Sequence, residues 1–185
     1  MDIPFDVTGK ILETERFILR PFEATDLNDF YAYASVPGVG EGAGWKAHDS
    51  IEASWGILKG FIEKRANFAL YHKEDKKVIG SVGLHGSWTS RNESYKHLKA
   101  KEIGYMVAKD YWGRGLATEA VKFIVEYGFN TLGLDAFGIA HFAENVQSRR
   151  VAEKCGFTYI ETGVYFAKQL NKHFDDIRHI KIKES

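Results

Sequence analysis

The spacing of apolar positions along the chain predicts four helices. Helical periodicity is present over residues 27–34, 51–62 and 116–125, and again in a short segment between Asn145 and Gly156. Asp49 is a candidate N-cap for the second helix, with Glu52 placed three residues later. Asn145 is a candidate N-cap for the fourth helix, and Gly156 is well placed just beyond its end.

Short apolar runs between these helices predict strands. The runs cover residues 16–20, 68–71, 78–84, 103–107 and 135–141, and residues 157–168 and 174–183 are expected to close the chain as a hairpin. Antiparallel strands are followed by an alternation of strands and helices. This order predicts an α/β fold with one mixed, mostly antiparallel sheet, in a single domain over residues 1–185.

Composition and charge exclude several classes of partner. Apolar residues make up 44% of the chain, and 25 basic residues balance 25 acidic ones, so no overall field favours nucleic acid or an anionic membrane. No apolar stretch is long enough for a membrane span, and the single cysteine, Cys155, fits a reducing compartment. We therefore expect a soluble cytoplasmic protein that binds neither nucleic acid nor membranes. A homodimer is one open alternative for its assembly.

The segment from Glu102 to Ala120 carries the first chemical signal. A strand leads through a turn with two glycines directly into a helix, whose first N–H groups lack intrahelical partners and carry partial positive charge. Such a turn can hold a phosphate or pyrophosphate, and an ordinary helix start is the alternative. The P-loop pattern is missing from the sequence, and Thr118 stands where a dinucleotide fingerprint needs its third glycine. The candidate phosphate-binding residues are Trp112, Gly113, Arg114, Gly115, Leu116, Ala117 and Thr118.

A second segment, from Asn145 to Phe157, has the pattern N-x-x-S-x-x-V-x-x-K-x-G-F. Together the two segments resemble the GNAT superfamily of acetyltransferases. The sequences of residues 111–120 and 12–21 are most similar to the Rim-type ribosomal-protein N-terminal acetyltransferases. The resemblance implies a sheet splayed near its middle, with acetyl-CoA lying in the opening as co-substrate. It also implies transfer of acetyl to a primary amine, either a protein N-terminus or a small amine.

The resemblance assigns roles to further residues. Backbone groups around Met106 and Val107 would hold the pantetheine arm, and Asn145 would form a hydrogen bond near it. Many members carry Arg or Gln at the position of Trp112. At the position of Ala152 many carry a tyrosine that protonates the departing thiolate, and Ser148 is the expected substitute here.

Glu102, at the start of the strand over residues 103–107, is our candidate for the group that accepts the amine proton. The alternative is that Glu102 pairs with Lys99 or Lys101 at a solvated strand end. The missing tyrosine also leaves open a non-catalytic acyl-CoA-binding regulatory domain. Acceptor contacts are expected from residues 36–48, where Trp45 either lines the acceptor pocket or packs under the loop. Residues 91–101 are expected to form a mobile, solvated loop. The seven histidines lack metal-site spacing, so we expect no metal.

Overall fold

A computed structural model of the chain describes residues 3–184. One eight-stranded sheet has helices on both faces. The helices are α1 (Leu27–Ala34), α2 (Ile51–Lys64), α3 (Leu116–Asn130) and α4 (Val146–Lys154). The strands are β1 (Leu12–Glu13), β2 (Phe17–Pro21), β3 (Asn67–His72), β4 (Lys77–His85), β5 (Ala100–Val107), β6 (Ala136–Phe142), β7 (Thr158–Ala167) and β8 (Lys172–Ile182).

The strand order is β1-β2-β3-β4-β5-β6-β8-β7, and every neighbouring pair is antiparallel except β5 and β6. Those two strands are parallel and pair from Ala100 with Ala136 to Glu102 with Gly138. Within residues 3–184 their pairing ends there, although β5 continues to Val107 and β6 to Phe142. The mixed sheet is confirmed, and it opens into a V between β5 and β6.

Helix α3 packs on one face of the sheet. Its apolar stripe is buried in the main core, as the helical spacing predicted. Near its end, a Cβ on Gly128 would lie 2.1 Å from the ring of Phe137 on β6. Glycine is therefore the residue that lets this helix approach the sheet closely.

Helices α1 and α2 cover the other face through a second core that includes Phe30 and Leu58. The carboxylate of Asp29 on α1 accepts a hydrogen bond of 2.8 Å from the N–H of Val78, which ties the helix to β4. Helices α1 and α2 therefore lie on the face of the sheet opposite to α3.

Two local expectations are wrong. The N-cap of α2 is Ser50, whose side chain accepts from the N–H of Ala53, and not Asp49. Lys101 does not belong to a solvated loop, since it is buried within β5. The hairpin of β7 and β8 is confirmed. Among residues 3–184, no helix is both long and apolar enough to cross a bilayer.

Candidate active site

The V exposes backbone groups of β5. The N–H of Ala108 donates to the carbonyl oxygen of Ile79 on β4 over 2.7 Å, and the hydrogen-bonding sides of a strand alternate along it. The backbone groups of Met106 therefore face β4, whereas those of Tyr105 and Val107 face the opening. The indole N–H of Trp112 donates to the Val107 carbonyl oxygen over 2.8 Å. Within residues 3–184, the backbone groups of Tyr105 and the Val107 N–H therefore face the opening on this wall.

The turn after β5 has the geometry of an anion site. Gly113 and Gly115 both have φ of +76°, in the left-handed region that glycine adopts without strain. Gly115 is the N-cap of α3 and supplies no side-chain acceptor for the N–H groups of the first helical turn. A Cβ on Gly113 would meet no atom within 4 Å, so there is space in front of the turn. Leu116 is buried and anchors the helix start, leaving the N–H groups of Ala117 and Thr118 at its open end.

Neighbouring side chains hold this turn in place. The hydroxyl of Tyr111 donates to the carboxylate of Asp75, and the guanidinium of Arg114 lies 5.0 Å over the Tyr111 ring. Arg16, the residue before β2, donates to the carbonyl oxygen of Arg114 over 2.9 Å and forms a salt bridge of 2.5 Å with Glu119. These contacts tie the turn to the residue before β2 and to the loop between β3 and β4.

The start of α4 forms the opposite side of the V. Asn145 caps the helix, its Oδ1 accepting from the N–H of Ser148 over 3.0 Å. The Asn145 Nδ2 donates to the carbonyl oxygen of Gly42 over 3.1 Å. Asn145 therefore uses its amide within the protein and keeps one Nδ2 proton for other contacts.

The segment over residues 36–48 lies across the ends of β6 and β7. A Cβ on Gly44, whose φ is +89°, would lie 3.2 to 3.3 Å from Phe142, Tyr165 and Ala167. Trp45 is half-buried, with its ring against Gly40 and 5.1 Å from the ring of His48. Of the two expectations for Trp45, the structure supports packing under the loop.

Ser148 meets a residue that the sequence analysis did not single out. The hydroxyl of Tyr105 on β5 and the hydroxyl of Ser148 on α4 share a hydrogen bond of 2.6 Å. Burial raises the pKa of Tyr105 to about 12, partly offset by Ser148. Because side chains alternate along a strand, Tyr105 lies on the same face of β5 as Ile103 and Val107. This alternation is the sequence feature that could have pointed to Tyr105.

Glu102 lies at the vertex of the V, beside the last pair between β5 and β6. Its Oε2 accepts from the N–H of Trp88 over 3.1 Å. Burial raises the pKa of Glu102; the Trp88 hydrogen bond opposes this, and the charge of Asp176 adds to it. Glu102 is half-buried, so this end of β5 is not the fully solvated end that the alternative assumed.

Beside Glu102 the same face holds His85 and Gly104. His85 pairs with Glu102 across β4 and β5, and a Cβ on Gly104 would lie 3.2 Å from the His85 ring. Desolvation lowers the pKa of His85, and the charges of Lys101 and Lys64 lower it further. This face thus presents one carboxylate and a histidine that favours its neutral form.

Two other chemistries have no support in residues 3–184. No three His, Cys, Asp or Glu side chains there are grouped to hold a metal ion. Cys155 is buried, and burial raises the pKa of its thiol to about 11, which makes it a poor nucleophile.

A strand edge that can pair with an extended amide chain lies next to an uncapped helix terminus that can hold phosphates. This arrangement is compatible with an acyltransferase whose donor is an acyl thioester on a phosphate-bearing pantetheine.

The chain belongs to the GNAT acetyltransferase family, because the model described as "Acetyltransferase (GNAT) domain" matches residues 16–158. It is similar to the "Uncharacterized N-acetyltransferase YoaA" of Bacillus subtilis (strain 168), with 34% identity over 152 residues, which covers 80% of this chain and 82% of that protein. The chain is thus an acetyl-CoA-dependent acyltransferase, as the resemblance implied.

Solved structures match the fold. The acetyltransferase (GNAT family) from Bacillus anthracis has a TM-score of 0.78 at 22% identity, covering 94% of this chain and 98% of that one. The ribosomal-protein-S5-alanine acetyltransferase from Vibrio fischeri has a TM-score of 0.70 at 20% identity, covering 94% and 97%. At these identities the likeness concerns the fold alone.

Proposed function

We propose that this protein moves acetyl from acetyl-CoA directly to a primary amine, which is either a protein N-terminus or a small amine. The observation that carries the proposal is the half-buried carboxylate of Glu102 at the vertex of the V, next to the strand edge where the thioester would lie. The name of the Vibrio fischeri structure supports a protein N-terminus as one acceptor class.

In this proposal the donor is held mainly by backbone. The pyrophosphate lies on the first turn of α3, against the N–H groups that follow Gly115, and the pantetheine pairs with Tyr105 and Val107 on β5. Asn145 contributes its remaining Nδ2 proton beside the same arm. Because these contacts are made by main-chain groups, Trp112 in place of Arg or Gln costs little binding.

The chemistry requires a neutral amine. An α-amino group with a pKa of about 8 is close to neutral at pH 7, whereas a lysine amine with a pKa of about 10.4 is further from it. Glu102 attracts the cationic amine and then accepts its proton, directly or through one water. The raised pKa of Glu102 makes it a stronger base than an ordinary glutamate, which suits general-base catalysis.

A non-catalytic acyl-CoA-binding domain is the competing function. Ala152 favours it, because this buried alanine stands where many family members place the tyrosine acid. The hydroxyl pair of Tyr105 and Ser148 favours catalysis. Ser148 lies one turn before Ala152 on α4, so its hydroxyl can serve as the hydrogen-bond donor that the missing tyrosine would otherwise supply.

Release of CoA thiol from acetyl-CoA with a panel of amines tests the proposal. The panel contains peptides with free N-termini, polyamines and aminoglycosides, and the same peptides with blocked N-termini are the matched control. We expect release with at least one free amine, together with a product heavier by one acetyl group. Binding of acetyl-CoA by calorimetry without release from any amine would instead establish the binding domain.

A further inference from the structure

The hydrogen bond between Tyr105 and Ser148 joins the two walls of the V. Tyr105 belongs to β5 and Ser148 to the first turn of α4, and their oxygens lie 2.6 Å apart. Both side chains are half-buried. The Tyr105 ring packs against the main core, and its hydroxyl meets Ser148 in the first turn of α4. This places a hydroxyl pair where the two strands have separated and where the thioester of the donor would lie.

The geometry allows either oxygen of this pair to donate, and the chemistry of the two hydroxyls favours Tyr105. The phenol is neutral near pH 7, because burial raises the pKa of Tyr105 to about 12. A neutral phenol is a better donor than a serine hydroxyl, and the serine oxygen has two acceptor lone pairs. When Tyr105 donates to Ser148, the hydrogen of Ser148 is left to point into the opening.

We propose that Tyr105 is a positioning residue for cleavage of the thioester, because its phenol donates to the Ser148 oxygen and turns the Ser148 hydrogen toward the departing sulfur. This inference rests on the proposed acetyltransferase function. As the N–C bond forms and the C–S bond breaks, the electron pair of the C–S bond stays on sulfur. The amine proton goes to Glu102 or to water, and the thiolate takes a proton from water on release. Tyr105 keeps its own proton throughout.

The hydrogen bond from Tyr105 compensates for the poor hydrogen-bond donation of a lone serine hydroxyl. A hydroxyl that accepts one hydrogen bond becomes a stronger donor in the next, so the Tyr105–Ser148 chain stabilises negative charge better than Ser148 alone. The benefit appears only as charge develops on sulfur, so it acts on kcat and not on the affinity for acetyl-CoA.

A double-mutant cycle tests this inference. Tyr105→Phe removes the hydroxyl and keeps the ring, and we expect kcat to fall about 10-fold with the acetyl-CoA Kd unchanged within about twofold. Ser148→Ala should lower kcat by about 10- to 100-fold. Adding Tyr105→Phe to Ser148→Ala should cause no further loss, because Tyr105 acts only through Ser148. Tyr127→Phe on α3 is the matched control and should retain wild-type kcat.

Ser148→Thr gives a second, independent arm. Threonine keeps the hydroxyl, so this variant should retain most of the activity and stay sensitive to Tyr105→Phe. If Tyr105→Phe does not fold, as judged by thermal melting, the difference in kcat between the threonine and alanine variants still reports the role of the hydroxyl.

Failure of the Tyr105 role and failure of the acetyltransferase function give different results. Losses that add in the double mutant, an unchanged kcat in Tyr105→Phe, or equal kcat in the threonine and alanine variants would overturn the positioning role while leaving the acetyltransferase function intact. A wild-type protein that releases no CoA with any amine would overturn the proposed function and this inference with it.

Discussion

The side chain of Asn145 joins Gly42 to the first turn of α4, two parts of the protein that lie 103 residues apart in the chain. One amide oxygen caps the helix at Ser148, and the amide nitrogen holds the loop over residues 36–48 through the Gly42 carbonyl. The helix cap and the position of the loop therefore depend on one residue, and substitutions can separate the two roles.

Asn145→Asp keeps an oxygen for the cap but has no N–H for Gly42 or for the pantetheine arm, so the Kd for acetyl-CoA is measured alongside. We expect it to unfold at nearly the wild-type temperature while the KM for the amine rises several-fold, because the loop is released. Asn145→Ala also loses the cap and should lower the free energy of unfolding by about 1 kcal/mol. Thermal melting and steady-state kinetics measure both effects. Equal amine KM values for Asn145→Asp and wild type would show that this contact does not shape the acceptor site.

Glu102→Gln tests the proposed base while keeping the shape of the side chain. We expect kcat/KM to fall by about 10²-fold. In the wild type, activity should decline as pH falls through the raised pKa of Glu102, because the carboxyl must be ionised to accept the proton. In Glu102→Gln that acid limb should disappear, and kcat/KM should rise with pH through the pKa of the amine.

The matched control for this substitution is Glu126→Gln, on an exposed position of α3. It removes the same charge away from the V and should leave the rate and the pH profile unchanged. If Glu102→Gln also keeps both, water or another group accepts the amine proton.

Gly115→Glu tests the phosphate site. A side chain here is strained at a φ of +76° and puts negative charge at the start of α3, so acetyl-CoA should bind at least tenfold more weakly, or about 1.4 kcal/mol. Gly133→Glu is the control, since Gly133 is exposed, also has a positive φ and has no atom within 4 Å of an added Cβ. Calorimetry that finds equal affinities in the two folded variants would rule out this assignment.

The thiol of Cys155 should be nearly inert in the folded protein. With a pKa of about 11, only about one molecule in a thousand carries a thiolate at pH 8, and burial blocks access to it. A disulfide reagent such as DTNB should therefore label it only after unfolding in guanidinium. Rapid labelling of the native protein would mean that the α4 end opens. The same inertness lets DTNB report released CoA without interference.

Features set by neighbouring residues could be predicted from the sequence. The turn at Gly113 and Gly115 and the cap at Asn145 follow from backbone conformations and hydrogen bonds that span only a few residues. The cap of α2 shows the limit of such reasoning, because Asp49 and Ser50 are both good N-cap residues. The choice depends on where the helix begins, a boundary that the pattern defines only to within a few residues.

Contacts between distant segments could not be predicted in the same way. Tyr105 meets Ser148 only because β5 and α4 flank the same opening, and the two residues are 43 positions apart. Glu102 meets the N–H of Trp88 for a similar reason, through the antiparallel pairing of β4 and β5. The sequence pattern defines which face a strand residue occupies, but not which helix or loop covers that face.

The short join between β5 and β6 has a thermodynamic consequence. Within the described residues the two parts of the sheet share three backbone pairs, so a donor lying in the V would act as a clamp between them. A ligand that binds only the folded state stabilises it through linkage, by about 2.7 kcal/mol at a free concentration 100 times its Kd. Resistance of this protein to heat and proteases would then rise and fall with the supply of its donor.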